Sequence, residues 1–364
     1  MNKESKIYVA GHRGLVGSAI VNALQEKGYN NIVYRRHDEL DLTDQVATTN
    51  FFNQEKPDYV FLAAAKVGGI VANNRYRGEF LYQNLSIQNN IIHQSYLHKV
   101  KKLLFLGSTC IYPKASPQPI REEYLLTDTL EYTNEPYAIA KIAGIKMCES
   151  YNLQYDTNFI SVMPTNLYGI NDNFNLETSH VLPALIRKIH LGKALENNDW
   201  ETIKKDLSLR PIEGVTNLSS QSDIIQMLHK YGINRTQNEA QDVSVDVWGT
   251  GTPRREFLWS QDMANACVFI MENRDFSDTI DSNTQEVRNT HINIGTGVDI
   301  SISDLAELIR NTIGFNGRII FDPSKPDGVM KKLTDCSKLN NLGWKHSVEL
   351  RDGIKKIYLW YKSQ

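Results

Sequence analysis

Short apolar runs, separated by longer segments of helical periodicity, fill the first 165 residues. The apolar runs predict β-strands over 6–10, 31–34, 58–62, 102–107 and 158–163. The first segment between them has apolar residues at Val16, Ile20, Val21 and Leu24, a spacing that places them on one face of a helix. This alternation predicts an α/β fold built on a doubly wound parallel sheet.

The pattern becomes irregular beyond Thr165. Residues 193–242 look inserted, and we interpret them as a surface lid or a contact element. A later helix is expected to start near Ser260, with Ser260 or Asp262 as its cap. The other predicted elements are helices over about 180–192, 199–205, 222–230 and 302–313, and strands over 243–248 and 291–295.

Composition limits the classes of protein to which the chain can belong. Its 364 residues suffice for one large or two ordinary domains, and 41% of them are hydrophobic without a run long enough to span a membrane. A net charge of −2 without a basic tract argues against nucleic acid as a partner. The chain runs from Met1 straight into the first strand, so we expect no signal peptide and a cytoplasmic location. Its scattered cysteines lack metal-ligand spacing, which predicts reduced thiols and no metal site.

A glycine-rich turn, Gly11-His-Arg-Gly-Leu-Val-Gly17, follows the first predicted strand. Glycine at positions 11, 14 and 17 allows a tight turn and the close approach of the backbone to a pyrophosphate, which binds at the N-terminus of the next helix. Between a strand and a helix, this motif predicts a Rossmann-type dinucleotide site.

Positive charge follows the second predicted strand. Arg35 and Arg36 stand where NAD-preferring sites usually place an acidic residue for the ribose hydroxyl. Together with Arg13 they suit a 2′-phosphate, so we predict NADP(H) as cofactor. A solvated strand end is the other interpretation of the pair, and Asp41 fits either the adenine edge or a turn. We assign 1–165, plus about 243–270, to an NADP-binding Rossmann domain, and 166–242 plus 271–364 to a smaller α/β substrate-binding domain.

A set of groups suited to proton transfer follows the fourth predicted strand. Tyr137 and Lys141 lie four residues apart and therefore share a helix face, and Ser108 stands about thirty residues earlier. A nearby ammonium lowers the pKa of a tyrosine, and a serine hydroxyl can share the proton path. The set predicts proton transfer at an alcohol oxygen during hydride transfer at the attached carbon. Cys110 is not needed by a ketone reductase, which suggests a second reaction.

Five segments carry a family likeness: Ala10-Gly-His-Arg-Gly-Leu-Val-Gly17, Ala63-Ala-Ala-Lys-Val-Gly-Gly-Ile70, Leu106-Gly-Ser-Thr-Cys-Ile-Tyr-Pro-Lys114, Asn134-Glu-Pro-Tyr-Ala-Ile-Ala-Lys141 and Met163-Pro-Thr-Asn-Leu-Tyr-Gly169. Together they resemble the GDP-L-fucose synthase family of the extended short-chain dehydrogenase/reductase superfamily. The likeness covers nearly the whole chain except 193–242, and Cys110 and His180 make it specific.

The resemblance implies an NADPH-dependent oxidoreductase and epimerase that converts GDP-4-keto-6-deoxy-D-mannose to GDP-L-fucose. It implies inversion at C3 and C5 first, with Cys110 as the base and His180 as the acid. Reduction at C4 follows. In that step Tyr137 donates the proton, Lys141 lowers the pKa of Tyr137 and binds the nicotinamide ribose, and Ser108 polarises the ketone.

The resemblance also assigns binding residues and a homodimer. In relatives, the helices matching 86–100 and 139–155 pair across the dimer. Asn166, Lys188, Trp248, Arg255 and Lys332 are expected to bind the GDP-sugar, because cations suit two phosphates and an indole packs against a base or ribose. The expected cofactor residues are Gly11, Arg13, Gly14, Leu15, Val16, Gly17, Arg35, Arg36, Asp41, Ala63, Lys141, Pro164, Asn166, Leu167 and His180.

Four other functions stay open at this point. A reductase or epimerase of another GDP-4-keto sugar, such as a heptose, keeps the chemistry and changes the substrate. A 4,6-dehydratase is expected to place an Asp-Glu pair where Cys110 and Ile111 stand, and a 4-epimerase to hold NAD tightly. A catalytically silent dinucleotide-binding scaffold requires none of the proton-transfer residues.

Overall fold

The computed structural model describes residues 1–235, 242–282 and 284–364, so residues 236–241 of the predicted insertion lie outside the described residues. Its strands are β1 Ile7–Ala10, β2 Ile32–Val33, β3 Tyr59–Leu62, β4 Lys102–Leu106, β5 Phe159–Pro164, β6 Asn166–Tyr168, β7 Ile233–Arg235, β8 Val243–Trp248, β9 Arg254–Trp259, β10 Ile292–Ile294, β11 Asp299–Ser301, β12 Arg318–Asp322 and β13 Lys331–Lys332. Its α-helices are α1 Leu15–Glu26, α2 Gln45–Glu55, α3 Ile70–Arg75, α4 Arg77–Leu97, α5 Glu135–Tyr155, α6 Val181–Glu196, α7 Trp200–Leu209, α8 Gln221–Lys230, α9 Ser260–Asn273, α10 Ile302–Ile313, α11 Ser337–Asn341 and α12 Leu350–Ser363.

The first of two compact units comprises Met1–Asn171, Glu256–Val298 and Leu333–Val348. Its six-stranded sheet has the order β10-β5-β4-β3-β1-β2, and all of its paired strands are parallel. Successive residues of β1 enter different apolar clusters, Ile7 and Val9 one and Tyr8 and Ala10 the other. The sheet is therefore covered on both faces, which explains why its strands are almost wholly apolar. The predicted doubly wound α/β fold is confirmed.

The second unit comprises Asp172–Arg255, Asp299–Lys332 and Glu349–Gln364. In its three-stranded sheet, β8 pairs with β12 in parallel and with β7 antiparallel. Helix α6 packs against β8 and α10. None of the helices formed by the described residues is long and apolar enough to cross a bilayer.

Two predicted domain boundaries are wrong. β8 was assigned to the cofactor domain, but it pairs with β12 and β7 in the second unit. β10 was assigned to the substrate domain, but it extends the six-stranded sheet beside β5. Short apolar strands have similar compositions, so the sequence pattern locates them along the chain without identifying their partners.

The two helices predicted within 193–242 are present as α7 and α8. Asp199 caps α7 by accepting from the Thr202 amide, and Ser220 caps α8 by accepting from the Asp223 amide. Helix α9 begins at Ser260 as predicted, but its N-cap residue is Trp259. The predicted capping role of Asp262 is wrong, because its carboxylate accepts from the Ser347 and Val348 amides instead.

A fully buried carboxylate holds three segments of the first unit together. Glu256, near the start of β9, has no exposed surface. Its Oε1 accepts from the Thr296 amide at 2.6 Å and from the Gly297 amide at 2.7 Å. Its Oε2 accepts from the Thr334 hydroxyl at 2.6 Å and from the Thr334 amide at 3.0 Å. A buried charge is tolerated when its oxygens are satisfied in this way.

We expect Glu256→Gln to destabilise the protein by about 3 kcal/mol, because the amide NH2 would face donors that the carboxylate now accepts from. Urea unfolding measures the effect. The exposed Glu26→Gln, at the end of α1, is the matched control and should leave the midpoint unchanged. Equal midpoints for the two variants would contradict the role given to Glu256.

Candidate active site

The predicted glycine turn joins β1 to α1 through two close backbone contacts. Gly11 has a φ of +87°, and a Cβ on Gly17 would lie 2.0 Å from the Gly11 oxygen. Helix α1 starts at Leu15 after Gly14 and has no acidic residue in its first turn. Its first amide groups and its dipole are therefore suited to an anion. The Leu15 and Val16 amides belong to this first turn, and the cradle fits the predicted dinucleotide.

The structure brings together the three arginines that were predicted to bind a 2′-phosphate. A cleft of about 390 Å³ is lined by His12, Arg13, Tyr34, Arg35, Arg36 and Glu39. The ring of His12 stacks on that of Tyr34, with centroids 4.3 Å apart. Partial burial and the neighbouring Arg13 charge lower the pKa of His12.

Sequence reasoning missed His12, Tyr34 and Glu39 in this cleft. His12 lies inside the glycine turn, and Tyr34 directly precedes Arg35. Because His12 and Tyr34 are next to predicted cofactor residues in the sequence, their positions could have identified them as candidates.

Carboxylates already pair with the strand-end arginines. Arg35 Nη2 lies 2.5 Å from Glu55 Oε1, and Arg36 Nε lies 3.2 Å from Glu39 Oε1. These groups are solvated, so water and salt weaken the pairs and leave the guanidinium groups available to a phosphate. Asp41 accepts from the Thr43 amide at 2.9 Å and from its hydroxyl at 2.8 Å. These bonds show the turn, and a contact of Asp41 with the adenine edge stays a prediction.

Several predicted site residues follow the carboxyl ends of parallel strands, which meet at one edge of the sheet. Ala63 follows β3, Ser108 comes two residues after β4, and Pro164 ends β5. Asn166 Nδ2 donates to the Glu256 carbonyl oxygen at 2.9 Å, and Leu167 packs against an apolar cluster. The glycine turn after β1 lies at the same edge.

The predicted proton-transfer residues lie on adjoining elements. Ser108 Oγ accepts from the Cys110 amide at 3.3 Å, and Cys110 lies in a 3-10 helix, Thr109–Ile111, with 8% of its surface exposed. Tyr137 and Lys141 lie on α5. Lys141 Nζ donates to the Leu106 oxygen at 2.8 Å and lies 5.7 Å from the centroid of the Tyr137 ring. The lysine is therefore anchored to the strand that leads into Ser108.

Burial controls the protonation of the tyrosine and the lysine. It raises the pKa of Tyr137 well above its ordinary value, and negative charge at Cys110 raises it further. Burial lowers the pKa of Lys141 to about 8, against an opposing effect of Cys110. The expectation that Lys141 lowers the pKa of Tyr137 is wrong for this structure, because desolvation dominates and the ammonium is directed at the Leu106 oxygen.

His180, the predicted acid, belongs to the second unit and directly precedes α6. The ring is exposed, and the protein atoms beside it lower its pKa by desolvating the charged form. The neutral imidazole that this favours still has one N–H donor. The pairing of His180 with Cys110 stays a prediction.

The predicted nucleotide contacts also lie in the second unit. Lys188 Nζ donates to the Asp246 carbonyl oxygen at 2.6 Å, and burial lowers the pKa of Lys188 to about 8. Trp248, at the end of β8, is 66% exposed, which leaves its indole available to a ligand. Arg255 and Lys332 are register partners in β9 and β13, so two cations stand side by side.

The chain matches one family model and is similar to curated proteins over nearly its full length. Residues 7–210 and 213–295 match the model of the NAD dependent epimerase/dehydratase family. The chain is 50% identical to "Putative GDP-L-fucose synthase 2" of Arabidopsis thaliana, over 99% of this chain and 93% of that protein. It is 47% identical to the GDP-L-fucose synthase of Escherichia coli (strain K12), over 99% of this chain and 97% of that protein.

Solved structures give a second set of relatives. A GDP-6-OMe-4-keto-L-xylo-heptose reductase from C. jejuni is 47% identical with a TM-score of 0.91, covering 100% of this chain and 99% of that one. MlghC, a GDP-mannoheptose C4 reductase from Campylobacter jejuni solved with NADP bound, is 46% identical with a TM-score of 0.86 and the same coverage. These likenesses confirm the NADP(H) prediction at the level of the relatives. That 193–242 is an insertion stays a prediction.

We expect Gly17→Ala to raise the Kd for NADPH at least about tenfold, since the new methyl group would collide with the Gly11 oxygen and displace the turn. Fluorescence titration with NADPH measures the Kd. Gly78→Ala, in α4 with open space around the new Cβ, is the control and should bind NADPH as the unaltered protein does. Equal affinities for both variants would contradict the role given to Gly17.

The lowered pKa of Lys141 predicts that the stability of the protein depends on pH. With its pKa lowered to about 8, the folded protein binds fewer protons than the unfolded chain between pH 8 and the ordinary lysine pKa of 10.5. The free energy of unfolding rises with pH wherever the unfolded chain binds more protons. Lys141 therefore lowers the stability of the folded protein most below pH 8. We expect Lys141→Met to be more stable by about 3 kcal/mol at pH 7, and the difference to shrink by pH 10. Urea unfolding at both pH values tests this, and a pH-independent difference would contradict it.

Proposed function

Because the chain belongs to the NAD dependent epimerase/dehydratase family, we propose that it is an NADPH-dependent epimerase and reductase of a GDP-linked 4-keto sugar. The names of its relatives favour GDP-4-keto-6-deoxy-D-mannose as substrate and GDP-L-fucose as product. The observation that supports both half-reactions is the electrostatic coupling of Cys110 to Tyr137 and Lys141, next to a Ser108 hydroxyl that accepts from the Cys110 amide.

For reduction, the glycine turn and the arginine-lined cleft hold the cofactor. Bound NADPH supplies the hydride for C4 of the sugar. The high pKa of Tyr137 keeps its hydroxyl protonated near neutral pH, so that it can donate to the developing C4 oxygen. Lys141, anchored on the Leu106 oxygen, binds the ribose hydroxyls beside the tyrosine.

For epimerisation, the C4 carbonyl acidifies the hydrogens on C3 and C5. Cys110 removes each proton, and attraction between negative charge at Cys110 and the Lys141 ammonium supports a thiolate in this role. Ser108 accepts from the Cys110 amide, so its own hydroxyl hydrogen is available to the enolate oxygen. His180 returns a proton on the opposite face.

The nucleotide is held by the second unit in this proposal. Lys188, Arg255 and Lys332 neutralise the two phosphates, and Trp248 packs against the base or ribose. We further propose a cytoplasmic homodimer that pairs through α4 and α5. Exposed apolar side chains on these helices, among them Tyr82, Leu97, Ile139 and Leu153, support that pairing.

The deciding experiment separates the two half-reactions. The purified protein is incubated with GDP-4-keto-6-deoxy-D-mannose in D2O, with and without NADPH. We expect deuterium at C3 and C5 without NADPH, and GDP-L-fucose with it. Cys110→Ser should slow the exchange by at least about 100-fold without changing the Kd for NADPH. Cys148→Ser, a second buried cysteine, is the matched control and should exchange normally. NADPH oxidation without exchange would contradict the epimerase half of the proposal.

A second candidate is a reductase of a GDP-4-keto-heptose. One observation favours it: the two solved heptose reductases are 47% and 46% identical to this chain with TM-scores of 0.91 and 0.86, against 27% and 0.77 for a solved GDP-L-fucose synthetase from Naegleria fowleri. The two substrates are compared by kcat/KM. A preference of tenfold or more for the heptose would reassign the substrate, and the deuterium exchange above would then tell a plain reductase from a bifunctional enzyme.

A further inference from the structure

A buried ion pair joins the 193–242 segment to α6 within the second unit. Arg187 of α6 has no exposed surface. Its Nε and Nη2 donate to Asp206 Oδ2 of α7 at 3.0 and 2.8 Å. Tyr361 of α12 donates its hydroxyl to the other oxygen of the same carboxylate. Burying a charge costs several kcal/mol unless a partner compensates it, so Arg187 depends on Asp206.

The guanidinium has a further contact, with the loop that precedes α6. Arg187 Nη1 donates to the Phe174 carbonyl oxygen at 3.2 Å. The Phe174 side chain is itself buried, with its ring centroid 4.6 Å from that of Tyr361. The guanidinium of Arg210 lies over both rings, at 5.6 Å from Phe174 and 4.4 Å from Tyr361. The ion pair therefore anchors the loop at Phe174 through both its backbone and its ring.

A compact turn connects this anchor to His180. Asn175 Oδ1 accepts from the Glu177 amide at 2.9 Å and from the Thr178 amide at 3.1 Å. The Ser179 amide donates to the backbone carbonyl oxygen of Asn175 at 2.9 Å, and His180 is the next residue. Because these bonds leave the short segment little freedom, a displacement of Phe174 is passed on to His180, whose carbonyl oxygen also accepts from the Ala184 amide of α6 at 3.1 Å.

We infer that Asp206 is a positioning residue for His180. It orients Arg187, Arg187 holds the Phe174 carbonyl oxygen, and the turn from Phe174 presents the imidazole. Asp206 itself touches no reacting atom. The inference gives the 193–242 segment a part in the reaction instead of the surface lid or contact element suggested by its sequence. It rests on the proposed function for the role of His180 as proton donor.

Two variants test the anchor without reference to activity. Asp206→Asn keeps the shape of the side chain and removes its charge. The exposed Glu201→Gln, on the same helix, makes the same change of charge as the control. Hydrogen exchange of the amides in 172–184 should become at least about tenfold faster in Asp206→Asn and stay unchanged in Glu201→Gln. Exchange in α1 should be unchanged in both.

A third variant separates positioning from stability. Arg187→Met with Asp206→Leu removes both charges together, and replacing a buried ion pair by apolar residues of similar size often preserves stability. This double variant should unfold at a temperature close to that of the unaltered protein. It should still show fast exchange in 172–184, because the Phe174 carbonyl oxygen loses its donor. It also keeps the test valid if Asp206→Asn fails to fold.

The effect on catalysis is then measured as deuterium incorporation in a double-mutant cycle with His180→Asn. We expect Asp206→Asn to slow deuterium incorporation into the sugar at least about tenfold through kcat, with little change in KM or in the Kd for NADPH. In the His180→Asn background the same substitution should have no further effect, because it acts through the imidazole. Additive losses would overturn the inference, since they would mean that Asp206 acts elsewhere.

Unchanged amide exchange in 172–184 would also overturn it, whatever the activity. Faster amide exchange with normal deuterium incorporation would do the same, because the loop would be released without consequence at His180. If the unaltered protein incorporates no deuterium into the sugar, the proposed function fails, and the amide exchange alone decides whether Asp206 positions the loop.

Discussion

The contact of Gly17 with the Gly11 carbonyl is the constraint on which the candidate site depends. No side chain fits at position 17, and a Cβ at Gly11 would meet the Ala64 amide nitrogen at 2.8 Å. The absence of these two side chains lets α1 start directly beside β1 and β3, and the first amides of a helix are suited to an anion. Parallel pairing then brings the residues after β3, β4 and β5 to the same edge. Ser108 follows β4 at this edge, and Lys141 donates to the Leu106 oxygen at the end of the same strand, so these residues lie where we propose that the nucleotide reaches.

Desolvation is the second organising effect, because it sets the protonation of the reacting groups. The buried hydroxyl of Tyr137 stays protonated, whereas the buried amine of Lys141 releases its proton more easily than a solvated lysine. A tyrosine that keeps its proton suits the donor needed when a ketone is reduced. Negative charge at Cys110 affects both pKa values, so the thiol and the reductase residues form one electrostatic unit.

The second unit uses burial differently. A buried ion pair seldom stabilises a protein more than apolar residues of the same size, but it demands one geometry. Arg187 donates to Asp206 of α7 and to the Phe174 carbonyl oxygen in the loop before α6, and Tyr361 of α12 donates to the same carboxylate. In the first unit, the buried carboxylate of Glu256 also demands one geometry, because it accepts from Thr296 and Thr334 and so joins β9 to segments distant in sequence. In both places, charge is used to orient loops that precede or flank predicted ligand-binding residues.

The sequence by itself determined the features that depend on interactions between residues close together along the chain. The strands of the main sheet, the glycine turn, the helices within 193–242 and the four-residue spacing of Tyr137 and Lys141 follow from local periodicity and backbone sterics. Only the tertiary structure decided that β8 and β10 join different sheets, that Asp262 bonds to Ser347 and Val348, and that burial raises the pKa of Tyr137. It likewise decided which groups the buried carboxylates of Glu256 and Asp206 contact. Strand partners, desolvation and buried charge pairs depend on residues that are remote in sequence and meet only when the chain folds.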